Sequence, residues 1–279
     1  MSERLAIDDL MGQAREGWRL GAALCTDCGG YHQVRGALRA MKVIRGPDTD
    51  EIPLRQVLND IVRPGHRVLI AGAGDPGQLQ SFAALTTARP VTLTIVDRCP
   101  APLALIDLIA LPPGLSVTTQ VVDLTQLSPT PTYDLILSHS MLPFLPEPDR
   151  VTMLRRFAAA LAPGGRLLIT VPIVPPKTGE ERQAYNAERL HWVRDKFAAA
   201  PAVRALLGDD YDAVVARYEA SRSSRTSVFD DLRQVVSLIE HGGFVIERHI
   251  VGGESVASIE LGFGRRGHIF LAAPASGQG

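Results

Sequence analysis

The chain has 279 residues, enough for one large domain or for one domain with an appended lid. Hydrophobic residues make up 46% and charged residues 21%, an ordinary globular balance, and the net charge of −1 offers no basic surplus for nucleic acid. The apolar runs are strand-sized, no apolar signal segment opens the chain, and three cysteines are too few for a disulfide framework. We therefore expect a cytoplasmic protein with neither membrane nor nucleic acid as a partner.

The first 50 residues predict a helical cap segment interrupted by the motif CTDCGGYH. Apolar residues recur at helical spacing before the motif, although Gly12, Gly17 and Gly21 weaken the pattern, and a second short helix is predicted over 34–43. An acidic run at 48–50 can cap a third helix. The main domain is expected to span 51–273.

From residue 67 onward, strands and helices alternate. Strands are predicted over 68–71, 91–96, 117–122, 133–137 and 166–171, and the helices between them include one over 149–162 with Asp149 as its N-cap. Two further strands, over 244–251 and 268–272, follow a helix at 228–241, and His268 begins the strand predicted at the sheet edge. This alternation predicts right-handed crossovers and a mostly parallel sheet covered on both faces.

Residues 173–226 break this alternation. The stretch is too long for a crossover loop in a compact domain and has helical patterns of its own. We expect it to form a helical lid inserted into the main domain. Residues 274–279 are predicted to be a disordered tail.

Three successive strands end in residues suited to a nucleotide-like ligand. The first runs into the turn Gly72-Ala73-Gly74, whose glycines let a ligand approach the main chain. The second ends in Asp97, placed to accept from two ribose hydroxyls, and the third in Asp123, which suits an adenine amino group. A simple turn and two helix N-caps are the alternative interpretation.

These features resemble the class I S-adenosylmethionine-dependent methyltransferases. The resemblance covers about residues 51–273 and rests on VLIAGAGDPG, VTLTIVD, QVVDL, YDLILSHSML and LAPGGRLLITVP, with HGGFVIERHIV and GHIFLAAP as the closing hairpin. It implies an α/β, Rossmann-like fold with a seven-stranded, mostly parallel sheet and an antiparallel closing strand. It also implies S-adenosyl-L-methionine as the cofactor, contacted by Gly72, Ala73, Gly74, Asp97, Arg98, Asp123, Leu124 and Ser138.

Two residues depart from the family pattern. Ile70 stands where the family usually has an acid, and Pro76 stands where it has a third glycine. The contact that this acid normally makes to the methionine amino group is therefore missing or supplied elsewhere. Pro76 also removes one N–H donor, although proline suits a first helical turn.

Candidate catalytic residues follow from the chemistry of methyl transfer, which needs a base only if the acceptor must lose a proton. His139 follows the fourth strand, where the family's fold faces the methyl group, and His32 is the second candidate. Tyr31, His32, His191 and Trp192 are expected to contact the acceptor. A histidine bonded to backbone, or a turn that links two helices, explains these residues without a catalytic role.

The pair Cys25 and Cys28, followed by His32, is half of a zinc motif. A structural site needs four ligands, typically with a second close pair, and the remaining cysteine, Cys99, lies in the cofactor half of the chain. We therefore expect no metal site. Buried thiols, or thiols near the acceptor pocket, are the expected state.

Methyl transfer to a small-molecule acceptor, on oxygen or nitrogen, is the function that the sequence favours. A same-fold enzyme with non-methylating chemistry, a nicotinamide-dependent oxidoreductase, a macromolecule methyltransferase and a non-catalytic binding module remain alternatives. The closing hairpin and Asp123 speak against the oxidoreductase. The oligomeric state stays open, with a homodimer as one option.

Overall fold

The computed structural model describes residues 10–25, 28, 30–44, 50–130, 132–174, 178–208, 212–213, 216–218, 229–254, 259–260, 264 and 266–275. Within these ranges the strands are β1 (Arg67–Ala71), β2 (Val91–Asp97), β3 (Leu115–Val121), β4 (Tyr133–His139), β5 (Leu161–Ile173), β6 (Phe244–Glu254) and β7 (Arg266–Pro274). They form one sheet in the order β3-β2-β1-β4-β5-β7-β6. The first five pair in parallel, and β7 is antiparallel to both β5 and β6.

The helices are α1 (Leu10–Leu24), α2 (Tyr31–Ala40), α3 (Glu51–Ile61), α4 (Gly77–Leu85), α5 (Pro100–Ile106), α6 (Glu147–Ala160), α7 (Gly179–Ala198), α8 (Pro201–Leu207) and α9 (Leu232–His241). Short 3-10 turns cover Leu124–Gln126 and Leu142–Phe144. The seven-stranded, mostly parallel Rossmann-like sheet and the accompanying helices confirm the predicted fold class. No helix in the described ranges is long and apolar enough to cross a membrane.

The centre of the sheet is buried on both faces because β1 is apolar at every position after Arg67. In β1, Val68 and Ile70 pack into a core with α3, α4 and α5, whereas Leu69 and Ala71 pack into a second core with α6 and α9. This two-sided burial explains the continuous apolar run, since both side-chain sets of a parallel strand face helices.

The N-terminal helices and the insertion helices share a third core. Val34 and Leu38 of α2 are fully buried against Val193 and Phe197 of α7 and against Val203 of α8. We call α1, α2, α7 and α8 together the cap. The described helices of the first 50 residues and of the insertion, predicted as separate segments, thus pack into one helical unit.

Glycines that weaken the α1 pattern serve its packing against α2. A Cβ on Gly21 would lie 2.4 Å from the Cα of Gln33, and a Cβ on Gly36 would lie 2.8 Å from the Cα of Ala14. Contacts this short need a residue without a side chain. Glycine lowers the helix propensity at these positions, but it allows α1 and α2 to cross closely.

Two local predictions were wrong in detail and a third holds in part. Helix α6 begins at Glu147, so Asp149 lies within its first turn, where the helix dipole favours a carboxylate, rather than at the N-cap. Asp50 stands at the N-cap position of α3, but its carboxylate makes no cap bond and accepts instead from the Gly253 N–H at 3.1 Å, and Asp48 lies outside the described residues. His268 lies on β7, which is interior because the hairpin inserts it between β5 and β6, and β6 forms the edge.

Candidate functional site

A cavity of about 220 Å³ lies between the carboxyl ends of the strands and the cap. Ten of the residues predicted for the site line it: Tyr31, His32, Gly72, Ala73, Gly74, Asp97, Arg98, Asp123, Leu124 and His139. Ligands of open α/β sheets bind at this position, outside the carboxyl ends of the strands. The structure therefore gathers most of the predicted residues around one space.

The glycine turn forms the floor of the cavity. Gly72 and Gly74 have φ of 79° and 63°, in the left-handed region that favours glycine. A Cβ on Gly72 would lie 2.3 Å from the Sδ of Met141, which also lines the cavity. The turn is held by Gly72 N–H, which donates to the Val96 carbonyl at 2.9 Å, and by Gln78 Nε2, which donates to the Gly72 carbonyl at 2.8 Å.

A buried ion cluster joins the glycine turn to α2. Asp75 Oδ2 accepts from Arg35 Nε at 2.7 Å, and Asp75 Oδ1 lies 3.2 Å from Arg39 Nη1 and accepts from the Gly77 N–H at 2.7 Å. Burial alone would raise the pKa of Asp75, but the two guanidinium groups outweigh it and hold the pKa below its usual value. Two cations face one carboxylate, so the cluster carries a net positive charge next to the cavity.

This cluster bears on the two departures from the family pattern. Ile70 is fully buried in the core, so it offers no polar contact to a ligand. Pro76 precedes the first residue of α4, where its missing N–H costs little. The Nε of Arg35 comes to about 3.0 Å from the position that a Cβ on Gly74 would occupy. Arg35 therefore brings a cation close to the glycine turn.

Asp97 stands at the end of β2 with its side chain turned toward the glycine turn. Its Oδ2 accepts from the Gly74 N–H at 3.2 Å, and its Oδ1 accepts from the Cys99 N–H at 2.8 Å. A carboxylate offers about four acceptor positions. Two hydrogen bonds thus fix the orientation of the group and leave acceptor capacity for a ligand.

Asp123 follows β3 and caps the short turn after it. Its Oδ1 accepts from both the N–H and the hydroxyl of Thr125, at 2.9 and 2.8 Å. These bonds lower the pKa of Asp123, so the carboxylate is charged at neutral pH. The cap role foreseen as an alternative is thus present, and Asp123 lines the cavity as well.

His139 ends β4, and the chain turns sharply after it. Ser140, the next residue, has φ of 60° and donates its N–H to the Thr170 carbonyl at 2.8 Å. A non-glycine residue in this region is strained, and such residues cluster at functional sites. Ser138 points the other way: it is 2% exposed and lines a separate small cavity beside α3 and α4.

Tyr31 and His32 open α2 and form part of the roof. The Tyr31 ring lies 6.0 Å from the Phe144 ring, and its hydroxyl accepts from Arg35 Nη1. Burial acts to lower the pKa of His32, but interactions with Cys28, Cys99 and Asp97 more than offset it and raise the pKa to about 10. His32 is therefore protonated at neutral pH in the metal-free chain.

Two predicted acceptor residues do not line this cavity. The His191 side chain is 80% exposed and lies 3.5 Å from Asp195 one turn along α7. Trp192 is buried in the cap core, and its Nε1 donates to Glu260 at 2.7 Å. Arg189, which lies two residues before His191 on α7, does reach the cavity.

Several lining residues were missed from the sequence. Arg35, Gln78, Met141, Phe144 and Arg189 carry no motif of their own, and only the fold brings them to the cavity. Arg189 is buried, and its Nε donates to the Tyr218 hydroxyl at 2.9 Å. The sequence carries no signal that would have placed this arginine at the cavity, because its position depends on how the cap packs.

Comparison with known proteins agrees with this geometry. A family model described as a methyltransferase domain matches residues 68–165, from β1 into β5. A search of curated proteins finds no match to the sequence.

Two solved structures share the fold. A "possible exported protein" from Bordetella parapertussis has a TM-score of 0.54 at 17% identity, covering 96% of each chain. LepI, solved with SAH and a substrate analogue, has a TM-score of 0.51 at 14% identity over 87% of this chain and 52% of LepI. The chain thus spans about half the length of LepI. At these identities the likeness concerns the fold alone.

Proposed function

We propose that the protein transfers the methyl group of S-adenosylmethionine to a small-molecule acceptor, and the match of residues 68–165 to a methyltransferase-domain model supports this proposal. One observation carries the proposal: the glycine turn, Asp97, Asp123 and His139, which end successive strands, line a single cavity roofed by the cap. An enclosed space of this kind suits a small acceptor better than a polymer.

The residues present fit this cofactor. Gly72 and Gly74 have positive φ, which lets the main chain turn tightly at the floor of the cavity, where the methionine part would lie. Asp97 has acceptor capacity for ribose hydroxyls, and Asp123 and Leu124 lie at the next strand end for the adenine. Arg35 offers a cation for the methionine carboxylate.

The bound cofactor supplies a methyl group that its sulfonium already activates. The protein has then to hold the acceptor atom in line with that methyl and to exclude water. The apolar side chains of Ile44, Met141, Phe144 and Leu145 around the cavity serve the second task. The cap, the part of the chain predicted as a segment plus a lid, covers the acceptor in this proposal.

His139 is the better candidate for a general base. It lines the cavity directly after β4, beside the strained Ser140. His32 has its pKa raised to about 10 in the metal-free chain and so holds a proton at neutral pH, which disqualifies it as a base there. For an acceptor hydroxyl, His139 would take the proton as the methyl group is transferred.

Arg189 points to an anionic acceptor. It donates hydrogen bonds to neutral oxygens, those of Tyr218, Tyr185 and the Val43 carbonyl, at 2.9, 3.4 and 3.3 Å. A buried guanidinium held in this way can pair with a carboxylate or phenolate that enters from the cavity. The acceptor class we propose is therefore a small molecule with an acidic group.

The reducing cytoplasm remains the proposed location.

The test begins with calorimetric titration of the protein with S-adenosylmethionine, S-adenosylhomocysteine and NADH. We expect both sulfur compounds to bind and NADH not to; binding of NADH alone would overturn the proposal in favour of an oxidoreductase. A panel of small carboxylic acids and phenols is then screened for release of S-adenosylhomocysteine. Cofactor binding without turnover on any panel would favour non-methylating chemistry or a binding module.

The role of His139 has its own test once an acceptor is found. His139→Gln should lower kcat by about 10²–10⁴-fold and remove the acid limb of the pH profile. His191→Gln, on an exposed face of α7, is the matched control and should keep the wild-type profile. An unchanged kcat in His139→Gln would rule out a base at this position.

A further inference from the structure

Three thiols and one imidazole converge at the junction of the cap and the sheet. Cys25 follows α1, Cys28 lies in the loop after it, His32 is in the first turn of α2, and Cys99 directly precedes α5. One ligand atom from each residue lies within 4.8 Å of the other three. The fold therefore supplies the fourth ligand that no close pair in the sequence provides.

The spacing of the sulfurs is that of a metal site and not of a disulfide. The Sγ atoms of Cys99 and Cys25 are 3.8 Å apart. A tetrahedron with Zn–S bonds of about 2.3 Å places two sulfurs about 3.8 Å apart, whereas a disulfide needs about 2.05 Å. None of the three cysteines is in a disulfide.

The surroundings also favour a cation. Cys99 is 8% exposed, and the Nδ1 of His32 is buried with no hydrogen-bond partner within the described ranges. The Asp97 carboxylate accepts a hydrogen bond from the Cys99 N–H, which places a negative charge next to the cluster. A buried imidazole nitrogen without a partner is costly, and a metal bond removes that cost.

We propose that Cys25, Cys28, His32 and Cys99 bind one Zn²⁺ ion. Three thiolates and one imidazole in a tetrahedral arrangement are the ligand set that zinc prefers over harder cations. Four protein ligands fill the coordination shell, so the ion is structural and takes no part in the transfer chemistry. We expected no metal site because Cys99 is far from the other cysteines in the sequence, but the fold brings it next to them.

Such an ion would fasten the cap to the cofactor edge of the sheet. Cys25 and Cys28 lie between α1 and α2, His32 is in the first turn of α2, and Cys99 lies two residues after Asp97. Cys28, His32 and Cys99 also line the cavity. The zinc would therefore fix the wall of the cavity between the acceptor roof and the ribose acid. The proposal does not depend on methyl transfer and holds for any ligand of this cavity.

The test is the metal content of the full chain, purified in reducing buffer without chelators and analysed by plasma mass spectrometry. We expect one zinc per chain in the wild type and in His191→Ala, and loss of zinc in His32→Ala and Cys99→Ser. Thiol titration should find the three cysteines protected until a zinc chelator is added.

Cobalt reconstitution keeps the test decisive if the variants fail to fold. Wild-type protein stripped by a chelator is titrated with Co²⁺, and tetrahedral thiolate coordination should give intense visible bands together with near-ultraviolet charge-transfer bands. Zinc added in equal amount should abolish these bands. Wild-type protein that is metal-free and binds neither ion, or that holds a Cys25–Cys28 disulfide without metal, would overturn the proposal.

Discussion

The Oδ1 of Asp97 accepts a 2.8 Å hydrogen bond from the backbone N–H of Cys99, two residues further along the chain. The other carboxylate oxygen accepts from the Gly74 N–H. The proposed ribose acid therefore links the glycine turn on one side to the thiol cluster on the other. A change in the thiol cluster should therefore alter cofactor binding through this carboxylate. A change of Asp97 should affect both the glycine turn and the thiol cluster.

Replacement of the acid is the most direct test of this link. We expect Asp97→Ala to weaken S-adenosylhomocysteine binding at least about tenfold, because each hydrogen bond to a charged group contributes roughly 1.5–3 kcal/mol. Asp107→Ala is the control: this exposed carboxylate accepts from the Thr119 hydroxyl and does not line the cavity. Calorimetric titration measures both, and equal affinity in the two variants would refute the ribose role.

The zinc cluster and the cofactor should be coupled. Cys25 belongs to the cluster but does not line the cavity, so Cys25→Ser cannot remove a direct contact with the cofactor. We expect this variant to lose zinc and to bind S-adenosylhomocysteine about fivefold more weakly or worse, as is typical of coupled sites. Zinc added to stripped wild type should restore affinity, whereas zinc added to Cys25→Ser should not. Loss of zinc with unchanged affinity would show that the two sites are independent.

The parts of this protein that the sequence predicts are those controlled by local pattern. Continuous apolar runs such as that around Ile70 predict buried parallel strands, and the strand-end acids Asp97 and Asp123 follow from the same pattern. Arg35 and Arg189 could not be found in this way, because their place at the cavity depends on how the cap packs. Cys99 is the clearest case: 67 residues separate it from His32 in the sequence, and only the sheet and α5 bring the two together.

Asp75 should make the stability of the protein dependent on acid. Its side chain is 5% exposed and faces Arg35 and Arg39. Removal of one partner from a buried ion cluster costs about 3–5 kcal/mol, so we expect Asp75→Asn to lower the free energy of unfolding by about that amount at pH 7. Urea unfolding followed by circular dichroism measures the difference.

The pH dependence follows from the sign of the pKa shift. The pKa of Asp75 is lower in the folded chain than its ordinary value of about 3.9 in the unfolded chain. The stabilisation is therefore fully present above that value and is lost as the pH falls through the folded-state pKa. The difference in the free energy of unfolding between wild type and Asp75→Asn should thus become smaller as the pH falls. Asp60→Asn, which removes an exposed pair with Arg248, should change stability by less than about 1 kcal/mol at any pH.

Alanine at two glycine positions of α1 should change the free energy of unfolding in opposite directions. A Cβ on Gly21 would meet the backbone of Gln33 at 2.4 Å, so Gly21→Ala must push α1 and α2 apart. A Cβ on Gly17 would lie 3.5 Å from Leu105 Cδ2, an ordinary contact. We expect Gly21→Ala to destabilise by about 1–3 kcal/mol through overpacking, and Gly17→Ala to stabilise by up to about 1 kcal/mol through helix propensity. Urea unfolding of both variants measures these changes.

Because α1 leads into the thiol cluster, Gly21→Ala should also weaken zinc binding, whereas Gly17→Ala should not. Stabilisation by both variants would mean that the helix crossing is looser than the structure has it.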